Sequence, residues 1–206
     1  MANTKGLLLL SGGFDSPVAG LLAQRQGIEV HALHFTAHPM FGMQSLPKAK
    51  ALAEKIQAKT FTTIDIGPML SQFARDANHK YYFVFMKRLF LRISETIANE
   101  NKCEMIITGE NLGQVSSQTL SNIAAIAPAT KLSVMRPLLC LDKQEIIDLS
   151  KKFGTHDLSI GPEVCDALGP KKPATVCTVE KIEIEEKKIP LEKLLVDAFK
   201  TKKAGF

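Results

Sequence analysis

The sequence predicts an α/β fold, an open parallel sheet with helices on both faces. Short apolar runs recur through the first half of the chain, at Gly6 to Leu10, "IEVHALHF", "FTTIDI" and "EMIIT". Turn residues flank them, as Gly27 does the second run. Segments of helical periodicity lie between, and strands that alternate with helices require crossover connections and a sheet covered on both sides.

The bulk properties agree with a soluble core-forming chain. Of 206 residues, 45% are hydrophobic and 23% charged, enough for one larger domain or a domain with a tail. No apolar run approaches the roughly 20 residues that span a bilayer, and "MANTKG" lacks a signal-peptide layout, so the expectation is a cytoplasmic protein with no membrane partner. Cys103, Cys140, Cys165 and Cys177 form no CxxC pair, which argues against a disulfide framework or a zinc ribbon. A net charge of +5 and a pI near 9.0 are compatible with a polyanionic partner such as RNA.

Each helix has its own signals. For the first, Ser16 suits an N-cap, Pro17 the first helical position and Gly27 the stop. Tyr82, Met86, Leu89, Ile93 and Ile97 recur at helical spacing, so the long segment 81–98 is amphipathic, and its stripe reads as core. The same helix carries Lys87, Arg88 and Arg92; the two arginines, one turn apart, either clamp a phosphate or pair with Glu95 at the surface. Asp142 and Glu145 stand at capping-box spacing, and Gly154 closes that helix. After Ile160 the chain becomes rich in Gly and Pro and then charged, which divides it into a domain over residues 1–177 and an extension over 178–206. "EKIEIEEKK" reads as a solvated face, and a last helix runs from Leu191 to about Lys200.

The stretch "LLLLSGGFDSPVAGLL" carries the chemistry. Gly12 and Gly13, between a strand and a helix, let backbone N–H groups face an anion at the positive end of the helix dipole, although a tight turn uses the same glycines. Neither GxxxxGK[ST] nor GxGxxG is present. Instead Asp15 stands beside the loop, and a carboxylate repels a polyphosphate unless a divalent cation lies between them, so Asp15 implies Mg²⁺. Its alternative is an N-terminal acid stabilised by the dipole. Ser11, Gly12, Gly13, Asp15 and Ser16 match SGGxDS, the PP-loop of enzymes that split ATP between its α and β phosphates.

Five blocks extend that match: "LLLLSGGFDSPVA", "KRLFLRISE", "ITGENLGQVSSQTLSNI", "MRPLLCLDKQEII", and "KFGTHDLSI" followed by "PEVC". In this order they resemble the tRNA 4-thiouridine synthetases, or tRNA sulfurtransferases. The resemblance implies a PP-loop ATP pyrophosphatase fold of the adenine nucleotide alpha hydrolase kind, with ATP and Mg²⁺. It implies that a uridine carbonyl in tRNA is adenylated with release of pyrophosphate, and that sulfur then displaces AMP. By the same resemblance Leu9, Leu10, His34 and Phe35 line the adenine site, Gly109 and Gln118 contact the nucleotide, and Lys87 or Arg88 meets its phosphate or the tRNA. From the residues themselves, Thr108 and Gly109 fall at a strand's C-terminal end, where open α/β sheets bind ligands. Gln114, Ser117 and Gln118 are uncharged groups suited to a base or ribose, or to a solvated helix start.

Cys165 occupies the place of the family's sulfur-handling cysteine. Lys171 and Lys172 favour its thiolate and the adjoining Glu163 and Asp166 oppose it. Cys177 is a candidate for a transient disulfide with it, whereas Cys103 and Cys140 read as small buried hydrophobes. His31, His34 and His38 lack a zinc spacing, and the first two read as packed strand residues. The family's usual THUMP domain precedes its PP-loop, yet here the motif begins ten residues after Met1. The expected partners are therefore tRNA, a persulfide or sulfide donor, a separate THUMP-type RNA-binding protein, and a second copy in a homodimer. Two alternatives stay open: a sulfur transfer to a small molecule, as in thiamine or other cofactor synthesis, and a nucleotide-binding module without turnover.

Overall fold

The computed structural model describes residues 4–37, 45–160 and 168–206. Five parallel strands form the sheet: β1 (Lys5–Leu9), β2 (Glu29–Thr36), β3 (Phe61–Asp65), β4 (Met105–Ile107) and β5 (Ser133–Met135). A short sixth, β6 (Lys203–Ala204), runs antiparallel to β3, giving the order β5-β4-β1-β2-β3-β6. The first four are the apolar runs of the sequence. The last two are three and two residues long and too short to show a period.

Successive side chains of a strand point to opposite faces, and the core divides accordingly. Leu7, Leu33, Ile64 and Ile106 pack on one side, beneath α3 (Gly67–Asp76), α4 (Tyr82–Glu100) and α5 (Leu120–Ile126). Leu8, Ala32, Phe61 and Ile107 pack on the other, beneath α1 (Asp15–Arg25), α2 (Ser45–Lys55) and α6 (Lys143–Lys152). The stripe Tyr82, Met86, Leu89, Ile93 and Ile97 is buried as its spacing requires. Asp142 and Glu145 form the capping box at the start of α6, and Gly27 and Gly154 take positive φ just beyond their helices.

Several expectations are corrected. Helix α1 begins at Asp15 rather than after Ser16, because the Ser16 hydroxyl turns back to accept the Ser11 N–H at 3.0 Å. Cys140 is exposed, since it lies in the turn between β5 and α6 and not in a strand. The stretch "EKIEIEEKK" is solvated on one face only: α8 (Val179–Glu186) buries Ile182, Glu185 and Glu186 on the other. Following the four-residue α7 (His156–Ser159), α8 packs on α4 and α5, and α9 (Leu191–Lys200) packs on α3. Residues 178–206 thus build into the same layers as the rest. Among the described residues no helix is long and apolar enough to cross a membrane.

Candidate functional site

The chain order reverses at β1. From there it moves outward through β2 and β3, then returns to the other side of β1 for β4 and β5. A crevice at the C-terminal ends of β1 and β4 is the place where such sheets bind ligands. Both motif loops open there.

The loop after β1 is held from both ends. Leu10 N–H donates to Leu33 O at 2.9 Å, while the Leu10 carbonyl accepts the His34 Nδ1–H at 2.7 Å. The Ser11 and Ser16 hydroxyls lie 3.2 Å apart across the turn, and Gly13 N–H donates to Ser11 Oγ at 3.3 Å. Ser159 reaches over from α7 to donate to Gly13 O at 3.3 Å. Gly12 has φ +94°, which its lack of a side chain permits. Gly109 is fixed by contact: a Cβ there would stand 2.7 Å from Ser16 N and 2.8 Å from the Asp15 carbonyl carbon. Only glycine lets the loop after β4 close on the start of α1.

Beside this junction is a cleft whose walls include Leu9, Leu10, Ser11, His34, Phe35 and Lys87. The adenine-site residues expected from the sequence therefore meet in one place. Phe35 stacks on Phe90 with centroids 4.4 Å apart, and the Lys87 ammonium lies 6.0 Å from the Phe90 centroid. Burial pushes the His34 pKa below its ordinary value against the opposing bond to Leu10, so His34 is a neutral imidazole whose Nε2 faces Ser45 Oγ at 3.2 Å.

Arg88 does not belong to this cleft. It is 1% exposed on the other side of α4, where Glu186 accepts from its Nε at 2.8 Å and Ala125 O from its Nη1 at 2.7 Å. Arg92 joins the same carboxylate, so Glu186 replaces the expected partner Glu95. Of the pair Lys87 and Arg88, only the lysine faces the cleft. Gly12, Gly13, Asp15, Ser16 and Gly109 border the junction rather than the cleft wall, and Gln118 does not line the cleft. Gln118 is buried, and its Oε1 has no hydrogen-bond partner among the described residues, an acceptor that a ligand hydroxyl or amine would satisfy. Cys165 and His38 lie outside the described residues.

Sequence reasoning missed Glu110 and Arg136. Glu110 is buried in the cleft wall, where it accepts from Arg136 Nε at 2.9 Å and Thr108 Oγ1 at 3.3 Å and pairs with Lys87 at 3.6 Å. Burial alone would raise its pKa; Lys87 and Arg136 outweigh that and hold the carboxyl below its ordinary range. The trio of Lys87, Arg136 and Glu110 sums to one positive charge, which suits an anionic group beside a mainly apolar cleft. Arg136 and Glu110 stand 26 positions apart and meet only because β4 and β5 are paired.

Comparison with known proteins shows the family. The family model for the thiamine biosynthesis protein ThiI matches residues 1–191. The chain belongs to the ThiI family. Probable tRNA sulfurtransferases of Finegoldia magna and Enterococcus faecalis are each 38% identical to this ThiI-family chain, over 93% and 94% of its length. It spans about 50% of either relative. A 4-thiouridine synthetase crystallised with RNA and bound ATP superposes with a TM-score of 0.91 at 33% identity, over 98% of this chain and 54% of that one. The U34-tRNA thiolase NcsA of Methanococcus maripaludis, with its [4Fe-4S] cluster, shares the fold at 16% identity and a TM-score of 0.58. Among the described residues of this ThiI-family chain, no group of three or more His, Cys, Asp or Glu is placed to hold a metal.

Proposed function

We propose that this chain is the ATP-using part of a tRNA 4-thiouridine synthetase. The observation that carries the reading is the meeting of the SGGxDS loop, Gly109 and the Lys87 cleft at the β1/β4 switch point. The ATP and RNA bound by the superposing synthetase support it.

In this reading adenosine occupies the apolar cleft against Leu9, Leu10 and Phe35, with Lys87 beside the α phosphate. The backbone amide of Gly12, joined by that of Gly13 once its long 3.3 Å bond to Ser11 Oγ is released, faces the β and γ phosphates at the start of α1. The uridine carbonyl oxygen attacks the α phosphorus, the α–β bond breaks and pyrophosphate leaves. Sulfur then attacks the activated carbon, and AMP departs with the former carbonyl oxygen. Adenylation is needed because a carbonyl oxygen is a poor leaving group.

Mg²⁺ fits a site of this composition, because that ion is commonly held by one or two carboxylates together with phosphate oxygens and water. Asp15 is the residue that would hold it; bound there, the ion neutralises charge on the departing pyrophosphate. Cys165 is the sulfur relay in this reading, and the donor is a persulfide protein or sulfide. A THUMP-type RNA-binding module presents the tRNA.

The test is incubation with Mg-ATP, sulfide and unmodified total tRNA, read by a mercury-affinity gel and by pyrophosphate count. Retarded tRNA with one pyrophosphate per thiolated nucleoside is expected. Absence of retardation, even with a THUMP protein added, would overturn the reading. A second reading, sulfur transfer to a small molecule, draws on the thiamine-biosynthesis description of the family. It predicts pyrophosphate release that depends on a small acceptor and not on tRNA.

A further inference from the structure

The loop after β1 has one ionisable side chain between Leu10 and Ser16, and it is the acid Asp15. Backbone amides and a metal leave a polyphosphate there without a fixed protein cation. Lys48, on the second turn of α2, lies where that cation is needed. The three atoms nearest to a Cβ built on Gly12 all belong to this side chain: Cε at 3.8 Å, with Cδ and Cγ at 3.9 Å. Three successive stem carbons at nearly one distance mean that the lysine stem runs flat across Gly12, with its ammonium one bond beyond Cε. The separations are ordinary contact, so the stem packs there without strain.

The register of α2 on the loop is built in. Ser45, one turn before Lys48, lies 3.2 Å from His34 Nε2, and His34 Nδ1–H donates to Leu10 O at 2.7 Å. This chain of hydrogen bonds ties the first residue of α2 to the residue that opens the loop. Because His34 is buried and neutral, it serves as a spacer and adds no charge of its own.

We propose that Lys48 is the phosphate-binding lysine of this site, supplied by the neighbouring helix instead of by the loop, and that it grips the β and γ phosphates that leave as pyrophosphate. The inference rests on the nucleotide reading above. It gives the two lysines separate roles. Lys87 serves the phosphate that stays with adenosine, and Lys48 serves the part that departs.

Calorimetric titration of the full chain with Mg-ATP, Mg-pyrophosphate and AMP tests this, using wild type, Lys48→Met and Lys48→Arg, with Tm as the folding control. A charge-assisted contact predicts that Lys48→Met weakens ATP and pyrophosphate roughly 10- to 100-fold and leaves AMP unchanged. Lys48→Arg restores most of the loss. Unaltered ATP and pyrophosphate affinity in Lys48→Met would overturn the lysine assignment alone. An equal loss for AMP would also overturn it, by marking a collapsed loop. A wild type that binds none of the three overturns the nucleotide reading and this inference with it.

Discussion

Asp15 occupies the first position of α1, where a carboxylate gains from the helix dipole and yet repels any phosphate bound there. Both facts hold at once if a divalent cation bridges carboxylate and phosphate. Asp15→Ala is therefore expected to abolish pyrophosphate release while lowering Tm by little, and normal release from that variant would remove the metal role. Cys165→Ala is expected to retain pyrophosphate release and sulfide-driven thiolation but to lose transfer from a persulfide donor; unimpaired transfer from the persulfide would take Cys165 out of the mechanism. At this scale the sequence was informative where the chemistry is local. Ser11, Gly12, Gly13 and Asp15 are nearly contiguous, and a strand followed by glycines and a helix has a physical meaning before any fold is known. Lys48, Glu110 and Arg136 were not legible, because their roles depend on which elements lie side by side. A lysine within "SLPKAKALAEK" is indistinguishable from any other helix lysine until α2 is seen to lie across Gly12.

At the scale of elements, α8 is bound to α4 chiefly through the Glu186 carboxylate, with Glu183 3.6 Å from Arg88 beside it. Glu186 Oε1 accepts from Arg88 Nε at 2.8 Å and Arg92 Nη1 at 2.6 Å, and Oε2 from Arg88 Nη2 at 3.1 Å and Arg92 Nη2 at 2.7 Å. Burial raises the pKa of this carboxyl, but Arg92 and Arg88 reverse the shift and hold it below its ordinary value of 4.5. A carboxylate depressed in the folded state stabilises it fully above the unfolded pKa and loses that effect as pH falls through the folded pKa. Glu186→Gln leaves two arginines facing a neutral amide in a desolvated site, which costs about 3 kcal/mol or more. The expected result is a Tm lower by roughly 10 °C at neutral pH, with a shallower loss of stability below pH 4.5 than in the wild type. An unchanged Tm would contradict this view of α8. The run "EKIEIEEKK" concealed the arrangement, since glutamates alternating with lysines ordinarily mark a wet surface, and partners 94 and 98 positions upstream are invisible to local pattern.

The other end of the same segment finishes the sheet. Beyond β6, Gly205 N–H donates to Phe61 O at 2.7 Å, Phe61 N–H donates to Phe206 O at 3.1 Å, and the two phenyl rings stack at 5.8 Å. Edge strands with free backbone groups invite pairing with other chains, and this short return covers that of β3. The strand could not be read from two residues, whereas the last helix expected from Leu191 to about Lys200 is α9, Leu191–Lys200.

For the whole molecule, alternation of strand and helix was sufficient to predict the layers, but strand order was not encoded in any local pattern. The order matters most for function, because only the placement of β4 beside β1 brings Gly109 against Asp15 and Ser16 and the Lys87 cleft beside them. The chain spans about half the length of the curated relatives it matches, so the nucleotide end of the reaction is the part its own residues explain best. In the proposed reaction the oxygen replaced by sulfur leaves on AMP. Unmodified tRNA carrying ¹⁸O at the uridine carbonyl, incubated with the chain, Mg-ATP and sulfide, tests it by mass spectrometry of the products. One ¹⁸O in AMP for each sulfur gained by the tRNA, with none in pyrophosphate, is the predicted result; thiolated tRNA accompanied by unlabelled AMP would contradict it.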